Sequence, residues 1–256
     1  MRFYENAYEL MSEMGRDLWE MGILNKPKTY QNKVIEGNED FITKEEICKQ
    51  YCLTGLPDPE MLFIFTKAKD WAEAEFAERI SGKQINPGKA WELRKDMWEE
   101  FLVKDMFTTG PGFDYTYPER INQEVTWKGN PKRVTVLEAL IELLKQDHDT
   151  RKAVLPIFTD RDCNNYDGSA RIPCSMYYDF LIRDCGQGPQ VNIVYHQRSS
   201  DFVGHFGDDV YLAWCMMEYV AEKVGVKAGF LYHTIDSLHC YQRDWHYLKT
   251  SVDDIK

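Results

Sequence analysis

The sequence predicts an α/β (α+β) protein built around one twisted, mixed β-sheet that is flanked by helices. Apolar residues recur at helical spacing in the first half of the chain, and runs of β-branched and aromatic residues follow in the second half. Strands with interleaved helices are typical of a fold with a single sheet. The 256 residues include no low-complexity stretch, which predicts one domain over residues 1–256.

The first half is predicted to be predominantly helical. Residues 3–21 carry apolar side chains at helical spacing, and Gly22 and Pro27 follow them. This pattern predicts an opening helix of about twenty residues with a buried apolar stripe. Three more segments, each charged on one face and apolar on the other, are predicted to form helices: residues 44–51, 67–80 and 137–145.

The second half is predicted to supply most of the sheet. Turn-forming clusters lie at residues 164–168 and 185–189. The apolar positions of residues 210–224 predict a largely buried helix that Gly225 ends, and residues 230–234 return to a strand pattern. The other strands are predicted in runs rich in β-branched and aromatic residues: 153–158, 178–182 and 191–195.

Composition limits the function. The formal charge of −11 repels polyanions, so extended nucleic-acid binding is disfavoured, although a small basic cluster could still hold one phosphate. No apolar run approaches the roughly 18 residues of a membrane helix, so no membrane association is expected. The N-terminus carries Glu5, Glu9 and Glu13 and lacks the basic start of a secretory signal, which predicts a cytoplasmic location.

The cysteines predict a reducing compartment. Seven cysteines is an odd number, and they lack the spacing of a disulfide framework. Cys48 and Cys52 have no second Cys or His pair at a zinc-like spacing, so no metal site is expected. Core packing is the better interpretation of these two residues.

One part of the sequence pairs a thiol with an arginine. Cys174 follows Pro173 at the start of one strand-like run, and Arg198 ends another. A cysteine taken alone is usually an inert, small buried hydrophobe. A nearby guanidinium would lower the pKa of the Cys174 thiol, and a thiolate is a strong nucleophile. Together the two segments offer a nucleophile and an anion clamp.

This pair opens an ordered set of residues that resembles the thymidylate synthase family, and more closely its branch of phage-type deoxycytidylate (dCMP) 5-hydroxymethyltransferases. Residues 198–201 precede an aspartate pair and an apolar helix, and His239 and Tyr241 close the set. The likeness is tightest over residues 149–241. It implies that Cys174 adds to C6 of a pyrimidine mononucleotide, and that the co-substrate 5,10-methylenetetrahydrofolate delivers a one-carbon unit to C5.

The resemblance also implies a phosphate site in a homodimer. Arg198 and Ser199 match the family's phosphate-binding pair, with Gln197 beside them in the substrate site. Arg151 and Lys152 match two cations that reach across the dimer interface, although lysine replaces the usual second arginine. Guanidinium groups suit phosphate because they bind its oxygens bidentately. Taken alone, each of these cations could be a solvated surface charge. The family's early phosphate-binding arginine has only uncertain counterparts: Lys26, Lys28 and Lys33.

Asp209 is predicted to select the base. Thymidylate synthases carry an asparagine eight residues after the aspartate that matches Asp201, and this chain carries Asp209 there. An ionised carboxylate only accepts hydrogen bonds, so it suits the N4 amino group of cytosine and faces O4 of uracil acceptor to acceptor. Sites with such polar matching discriminate by about 10⁴-fold. Asp208 is the alternative counterpart, and both aspartates could instead cap the following helix.

Further site residues follow from the resemblance. The Asp201 carboxylate is expected to accept N–H bonds from the pterin edge of the folate, and Trp98 is expected to face the folate. His239 and Tyr241 alternate on one strand face and are expected to bind the sugar hydroxyl. Asp236 stands where the family usually has glycine.

In the first half, Glu75 and Tyr117 take catalytic roles from the resemblance. Glu75 is expected to handle water and protons near the base, and Tyr117 matches the active-site tyrosine. Glu78, one turn later, is the rival to Glu75, and either could lie on a solvated face. Pro118 replaces the glycine that usually follows the tyrosine.

Two products are chemically open once the one-carbon unit is attached. Hydride from the folate gives a methyl group, and water gives a hydroxymethyl group. Closing lids protect such intermediates from water, and only fifteen residues follow Tyr241. With Asp209, this favours hydration of dCMP, a reaction suited to phage DNA modification. The alternatives are reductive methylation of dCMP or dUMP, hydroxymethylation of dUMP or CMP, and a nucleotide-binding or RNA-binding relative without catalysis.

Overall fold

The computed structural model of the chain describes residues 1–104, 110–127, 132–184 and 186–250. Its helices are α1 (Ala7–Met21), α2 (Lys69–Arg79), α3 (Lys95–Trp98), α4 (Tyr117–Ile121), α5 (Val136–Gln146), α6 (Gly207–Val224) and α7 (Trp245–Lys249). Its strands are β1 (Arg2–Tyr4), β2 (Ile23–Asn25), β3 (Thr29–Tyr30), β4 (Lys33–Val34), β5 (Thr43–Leu53), β6 (Val103–Lys104), β7 (Pro111–Gly112), β8 (Glu124–Thr126), β9 (Arg133–Thr135), β10 (Val154–Pro156), β11 (Ser175–Asp184), β12 (Pro189–Gln197), β13 (Ser200–Asp201) and β14 (Lys227–Tyr241).

The main sheet is mixed, as the sequence predicts. Its strand order is β1-β5-β14-β12-β11-β10, with β2 paired to β5 and β13 paired to β14. The pairs β1/β5 and β12/β14 are parallel, and β5/β14, β11/β12 and β10/β11 are antiparallel. The pairs β3/β4, β6/β7 and β8/β9 form separate small sheets.

One face of the sheet forms the core with helices α1, α5 and α6. Strand pairing places Tyr51, Phe180, Tyr195 and Leu231 on this face, and each of them is fully buried. The alternating side chains of the same strands form the opposite face and are only half-buried there, for example Tyr177, Leu181, Val194 and Tyr232. The two faces of the sheet therefore differ in how far they are covered.

Most predicted elements of the second half are confirmed. The predicted helix at 210–224 is α6, and Gly225 ends it with a φ of +87°, a left-handed conformation that glycine adopts at low cost. The predicted strands correspond to β10, β11, β12 and β14, although β14 continues to Tyr241. In the first half, the helices predicted at 67–80 and 137–145 are confirmed as α2 and α5.

The helix predicted at residues 44–51 is wrong, because this segment belongs to β5. It pairs with β1, β2 and β14, so hydrogen bonds within the sheet replace those of a helix. Cys48 has a φ of +56°, which interrupts the extended backbone and hides the two-residue alternation. Cys52 is buried, as the core interpretation requires, but Cys48 is exposed.

The opening helix also begins later than predicted. The side chain of Asn6 accepts a hydrogen bond from the backbone N–H of Glu9 at 2.8 Å and so caps a helix that starts at Ala7. The residues before it form β1, where Phe3 is 64% exposed rather than part of a buried stripe. With β1 and β5, the first half is mixed rather than predominantly helical. No described helix is long and apolar enough to cross a membrane.

Candidate active site

A cavity of about 320 Å³ lies where the sheet meets α2, α4 and the start of α6. Its walls come from both halves of the chain. The predicted site residues that line it are Glu75, Trp98, Tyr117, Cys174, Arg198, Ser199, Asp201, Asp209, His239 and Tyr241. The structure therefore brings most of the predicted set together in one place.

Cys174 immediately precedes β11 and lies beside the guanidinium of Arg198. Arg198 Nη2 is 3.8 Å from Cys174 Sγ and donates to the carbonyl of Ile172 at 3.1 Å, while its Nε donates to the carbonyl of Pro173 at 2.8 Å. Burial raises the pKa of the Cys174 thiol, although Arg198 and Arg171 act to lower it. Arg198 acts in the predicted direction, but the pKa is raised overall because desolvation of the thiolate exceeds the attraction of the two cations.

Asp209 lies in the first turn of α6 and faces the cavity. Gln197 Nε2 donates to Asp209 Oδ2 at 2.8 Å; Gln197 itself is fully buried and does not line the cavity. Burial raises the pKa of Asp209 to about 6, against the opposing effects of the Gln197 bond, Arg79 and Arg94. The carboxyl group is therefore mostly ionised at neutral pH, and it is half-protonated about one pH unit below neutral.

Asp208 points away from the cavity. Its Oδ2 pairs with Arg94 Nη1 at 2.6 Å, and its Oδ1 accepts from the hydroxyl of Thr66 at 2.9 Å. No side chain caps the first turn of α6, which begins at Gly207. The helix-cap interpretation is therefore wrong for both aspartates, and Asp209 is the one that faces the cavity.

Glu75 and Glu78 have different surroundings on α2. Glu75 lines the cavity, and its Oε1 accepts from Arg79 Nε at 2.9 Å. Glu78 does not line the cavity; its Oε1 accepts from the backbone N–H groups of Lys89 at 2.6 Å and Ala90 at 3.1 Å. Glu78 therefore holds a loop, and Glu75 is the glutamate placed to act in the cavity.

Tyr117 is the first residue of α4 and belongs to a hydroxyl network. Ser175 Oγ donates to the Tyr117 hydroxyl at 3.2 Å and lies 2.5 Å from the hydroxyl of Tyr195. Burial raises the pKa of Tyr117 well above its ordinary value, so the phenol stays protonated. Pro118 follows within the first turn of the helix, where proline is tolerated, so the replacement of glycine does not break α4.

The wall around Trp98 carries donors without partners. Trp98 and Trp91 both line the cavity, and the indole N–H of each is buried with no hydrogen-bond partner in the described part of the chain. The guanidinium carbon of Arg171 lies 5.3 Å from the centre of the Trp98 ring. The ring of His205 lies 5.6 Å from the Trp98 ring, and burial lowers the pKa of His205 to about 3, so its imidazole is neutral.

Asp201 links this wall to the end of β14. Its Oδ1 accepts from the backbone N–H of Val203 at 3.2 Å, and burial raises its pKa while His239 acts to lower it. His239 and Tyr241 are two residues apart in β14 and therefore share one face of the strand. Their rings lie 5.0 Å apart and both face the cavity, as predicted. β14 continues through Asp236, so the replacement of glycine leaves the strand intact.

The predicted phosphate donors do not all meet within one chain. Arg198 and Ser199 line the cavity, but Arg151 and Lys152 are exposed and lie outside it. The three lysine candidates for the early phosphate site also lie outside the cavity: Lys26, Lys28 and Lys33. Lys28 and Lys33 form ion pairs with Glu36 and Glu100 instead. The cavity of one chain therefore contains half of the four donors that the resemblance assigns.

Sequence reasoning assigned no role to Arg79, Arg171 or His205, which all line the cavity. Arg171 stands three residues before Cys174, and that position was the available signal. Arg79 lies four residues after Glu75, the spacing at which helical side chains meet. His205 had no signal in the sequence. Among the described residues, no group of three or more His, Cys, Asp or Glu side chains could hold a metal ion.

Comparison with known proteins identifies the family. The thymidylate synthase family model matches residues 81–254, more than half of the chain. The chain therefore belongs to the thymidylate synthase family, whose members transfer a one-carbon unit from a folate to a pyrimidine nucleotide.

Individual relatives share a third or less of their residues with this chain over the aligned segments. A "Putative thymidylate synthase" of Methanosarcina mazei is 33% identical over 146 residues, which cover 56% of this chain and 60% of that protein. A "Deoxyuridylate hydroxymethyltransferase" of Bacillus phage SP01 is 30% identical over 110 residues, which cover 43% of this chain and 28% of that protein. The solved structure of the thermostable thymidylate synthase A of Bacillus subtilis superposes with a TM-score of 0.68 at 16% identity, over 97% of this chain and 84% of that one. This last similarity confirms the predicted fold class.

Proposed function

We propose that the protein transfers a one-carbon unit from 5,10-methylenetetrahydrofolate to C5 of dCMP and hydrates the product to 5-hydroxymethyl-dCMP. The observation that carries this proposal is a carboxylate, Asp209, facing the same cavity as the Cys174 thiol. The thiol supplies a nucleophile for C6 of the base. The carboxylate supplies an acceptor for an amino-bearing edge of the same base.

The surroundings of Asp209 support cytosine as the base. Gln197 Nε2 donates to Oδ2 of Asp209 and so fixes the orientation of the carboxylate. The other oxygen, Oδ1, is left as an acceptor for a ligand. The N4 amino group of cytosine can donate to it, and N3 can donate as well if it carries a proton. O4 of uracil would face a charged acceptor, which is unfavourable in a buried site.

Cys174 is the proposed nucleophile and Arg198 its electrostatic partner. The thiolate forms a bond from Sγ to C6, which makes C5 a carbanion equivalent able to attack an electrophilic carbon. Because burial raises the pKa of the thiol, formation of the thiolate depends on the nearby guanidinium. Tyr117 lines the same cavity and offers a protonated hydroxyl.

The folate fits the residues on the Trp98 wall. The unpartnered indole N–H groups of Trp98 and Trp91 offer donors, and the carboxylate of Asp201 offers an acceptor for paired N–H groups. The aromatic rings also provide flat surfaces suited to a heterocycle. When bound there, the reduced folate supplies the one-carbon unit.

The position of the segment after Tyr241 supports hydration rather than reduction. The segment after Tyr241 forms α7, whose Trp245 ring lies 6.3 Å from the ring of Trp19 on α1, and Leu248 is buried there. None of residues 242–250 lines the cavity. In its described part, this segment therefore does not cover the site, and Glu75 is placed to accept a proton from water.

A homodimer is part of the proposal, with phosphate bound by Arg198 and Ser199 of one chain and Arg151 and Lys152 of the other. The half-buried face of the sheet, with Tyr177, Leu181, Val194 and Tyr232, is suited to a second copy. Its residue Asp179 also has a buried carboxylate oxygen without a hydrogen-bond partner among the described residues. Such a group is costly unless an interface satisfies it.

Two alternative reactions are supported by the names of relatives. The name of the phage SP01 relative favours hydroxymethylation of dUMP, and the name of the archaeal relative favours reductive methylation, of dUMP or dCMP. Both use the same nucleophile, so the identity of the base and the fate of the attached carbon separate them. CMP in place of dCMP is a further substrate to compare.

The test is to incubate the protein with methylenetetrahydrofolate and dCMP, dUMP or CMP, and to determine the mass of each nucleotide product. The proposal expects 5-hydroxymethyl-dCMP together with tetrahydrofolate. A methyl product with dihydrofolate would overturn hydration, and equal turnover of dUMP would overturn the role of Asp209. Binding of dCMP without release of tritium from its C5 position would identify a binding protein without catalysis.

A further inference from the structure

Arg79 is a buried cation in the cavity to which the proposed reaction gives no role. It is the last residue of α2, it lines the cavity and it is only 2% exposed. Burial of a guanidinium is costly unless its charge is balanced by close partners. The arrangement of those partners indicates what Arg79 does.

Two cavity residues surround the Arg79 side chain. Its Nε donates to Glu75 Oε1 at 2.9 Å, and its guanidinium carbon lies 4.2 Å from the centre of the Tyr117 ring. Its charge also acts to lower the pKa of Asp209, which burial raises. Arg79 therefore contacts one carboxylate of the cavity, Glu75, directly and acts on the other, Asp209, through its charge.

Hydration of the attached carbon needs a carboxylate in this position. The water oxygen bonds to the exocyclic methylene carbon, the electron pair of that double bond moves to form C5=C6, and the bond between C6 and Cys174 Sγ breaks. The thiolate leaves with its electron pair, and one proton of the water must go to a base. An ionised Glu75 can accept that proton, whereas a protonated Glu75 cannot.

We propose that Arg79 is a positioning residue that holds the Glu75 carboxylate turned so that Glu75 Oε2 accepts the proton of the attacking water. The bond from Arg79 Nε occupies Oε1, which leaves the second oxygen of the carboxylate for water. This role rests on the proposed hydration of the nucleotide and adds the residue that prepares its base.

A purely structural role for Arg79 makes different predictions. The Asn122 side chain donates to the backbone carbonyl of Arg79 at 2.9 Å, and this bond between α4 and α2 does not depend on the Arg79 side chain. Replacement of the side chain removes the contact with the Tyr117 ring but leaves this hydrogen bond in place. Changes in the chemical step can then be separated from loss of folding.

The experiment compares R79Q, R79K, E75Q and the double variant E75Q/R79Q in steady-state formation of 5-hydroxymethyl-dCMP. R79Q is expected to lower kcat by about 10²-fold while KM for dCMP changes by less than about threefold. R79K keeps the charge and should recover about tenfold of that loss. The double variant should be no slower than E75Q alone, because Arg79 acts through Glu75.

The matched control is R120Q. Arg120 is a half-buried arginine whose Nη2 pairs with Asp162 Oδ1 at 2.6 Å, and neither residue lines the cavity. We expect R120Q to lower the midpoint of thermal unfolding without changing kcat of the folded fraction. Three results would overturn the role of Arg79. In the first, the loss of kcat in E75Q/R79Q equals the product of the losses in the two single variants. In the other two, R79Q raises KM by as large a factor as it lowers kcat, or R79K recovers none of the lost kcat. An inactive wild-type chain would instead overturn the proposed function itself.

Discussion

The two walls of the cavity are built in different ways. On one wall, Cys174, Arg198, Asp201 and His239 lie in or beside the paired strands β11, β12, β13 and β14, whose register fixes their relative positions. On the other wall, the side chains come from short helices and connecting loops of the first half. Hydrogen bonds from side chains hold those loops, such as the two that join Asn86 to the backbone of Phe113 at 2.8 and 2.7 Å.

We expect the two walls of the cavity to have different roles in the reaction. The sheet wall holds the nucleophile and most of the groups proposed to bind the nucleotide, together with Asp201, which is proposed to bind the folate; these groups must keep a fixed geometry. The helical wall holds Glu75, Arg79, Trp98 and Tyr117, which are proposed to handle protons and the folate. Loss of a group on the sheet wall should therefore abolish chemistry or change the substrate, and loss on the helical wall should slow individual steps.

The largest effect is expected at the nucleophile on the sheet wall. C174A should lower release of tritium from C5 of dCMP by at least about 10⁴-fold, because no bond to C6 can form. C215A is the control, since Cys215 is a half-buried cysteine outside the cavity and should leave the rate unchanged. Undiminished release in C174A would end the proposed mechanism.

The next effect is a change of substrate. D209N replaces an acceptor with an amide that can donate to O4 of uracil, and the ratio of kcat/KM for dCMP to that for dUMP should fall by about 10²-fold or more. Competition between the two nucleotides with mass analysis of the products measures this ratio. An unchanged ratio would mean that another group reads the base.

On the helical wall, E75Q should lower kcat for hydroxymethyl formation by about 10² to 10³-fold, because the amide cannot accept a proton from water. E78Q is the matched control one turn away, and it should affect thermal stability through its bonds to the loop at Lys89 and Ala90. Equal losses of kcat in both variants would contradict the difference between the two glutamates.

The proposed sharing of the phosphate site between two chains can be tested by mixing two defective variants. R151A should raise KM for dCMP by about tenfold, since a charge-assisted hydrogen bond to phosphate is lost. Dimers reassembled from R151A and C174A should regain about a quarter of the wild-type sites, because the mixed dimer has one complete site. Assays at a dCMP concentration below the KM of R151A measure the recovery. No recovery would mean that Arg151 does not serve the partner's site.

The smallest effect is expected from pH. Burial raises the pKa of Asp209 to about 6, so the carboxylate is ionised above that pH and becomes a donor below it. The preference for dCMP over dUMP should therefore fall by about tenfold as pH decreases from 8 to 5. Measurement of kcat/KM for both nucleotides across this range checks the prediction, and D209N should show no such dependence.

Sequence patterns alone were sufficient for much of the sheet wall. Local alternation and β-branched residues predicted β11 and β12, and the resemblance to the thymidylate synthase family implied that Cys174, Arg198 and Asp209 share one site. The pattern worked because neighbouring strands keep a fixed register, so residues near strand ends meet. The difference between Asp209 and Asp208, however, depended on which side of α6 faces Arg94.

The helical wall was harder to predict. Glu75 and Glu78 have the same side chain on the same helix, and only the position of the loop at residues 88–90 distinguishes them. Arg79 and His205 had little or no signal, because a charged residue in a helix usually lies on a solvated face. The strand β5 was mistaken for a helix, since its pairing partners lie far away in the chain.

The sequence by itself determined the fold class, the family resemblance and the chemical types of the site residues, because these follow from local periodicity and from the order of residues along the chain. Only the tertiary structure decided which acidic groups face the cavity, which arginines are buried beside them and how burial shifts the pKa of Cys174 and Asp209. The physical reason is that desolvation and charge pairing depend on neighbours brought together by folding, and residue order does not specify those neighbours.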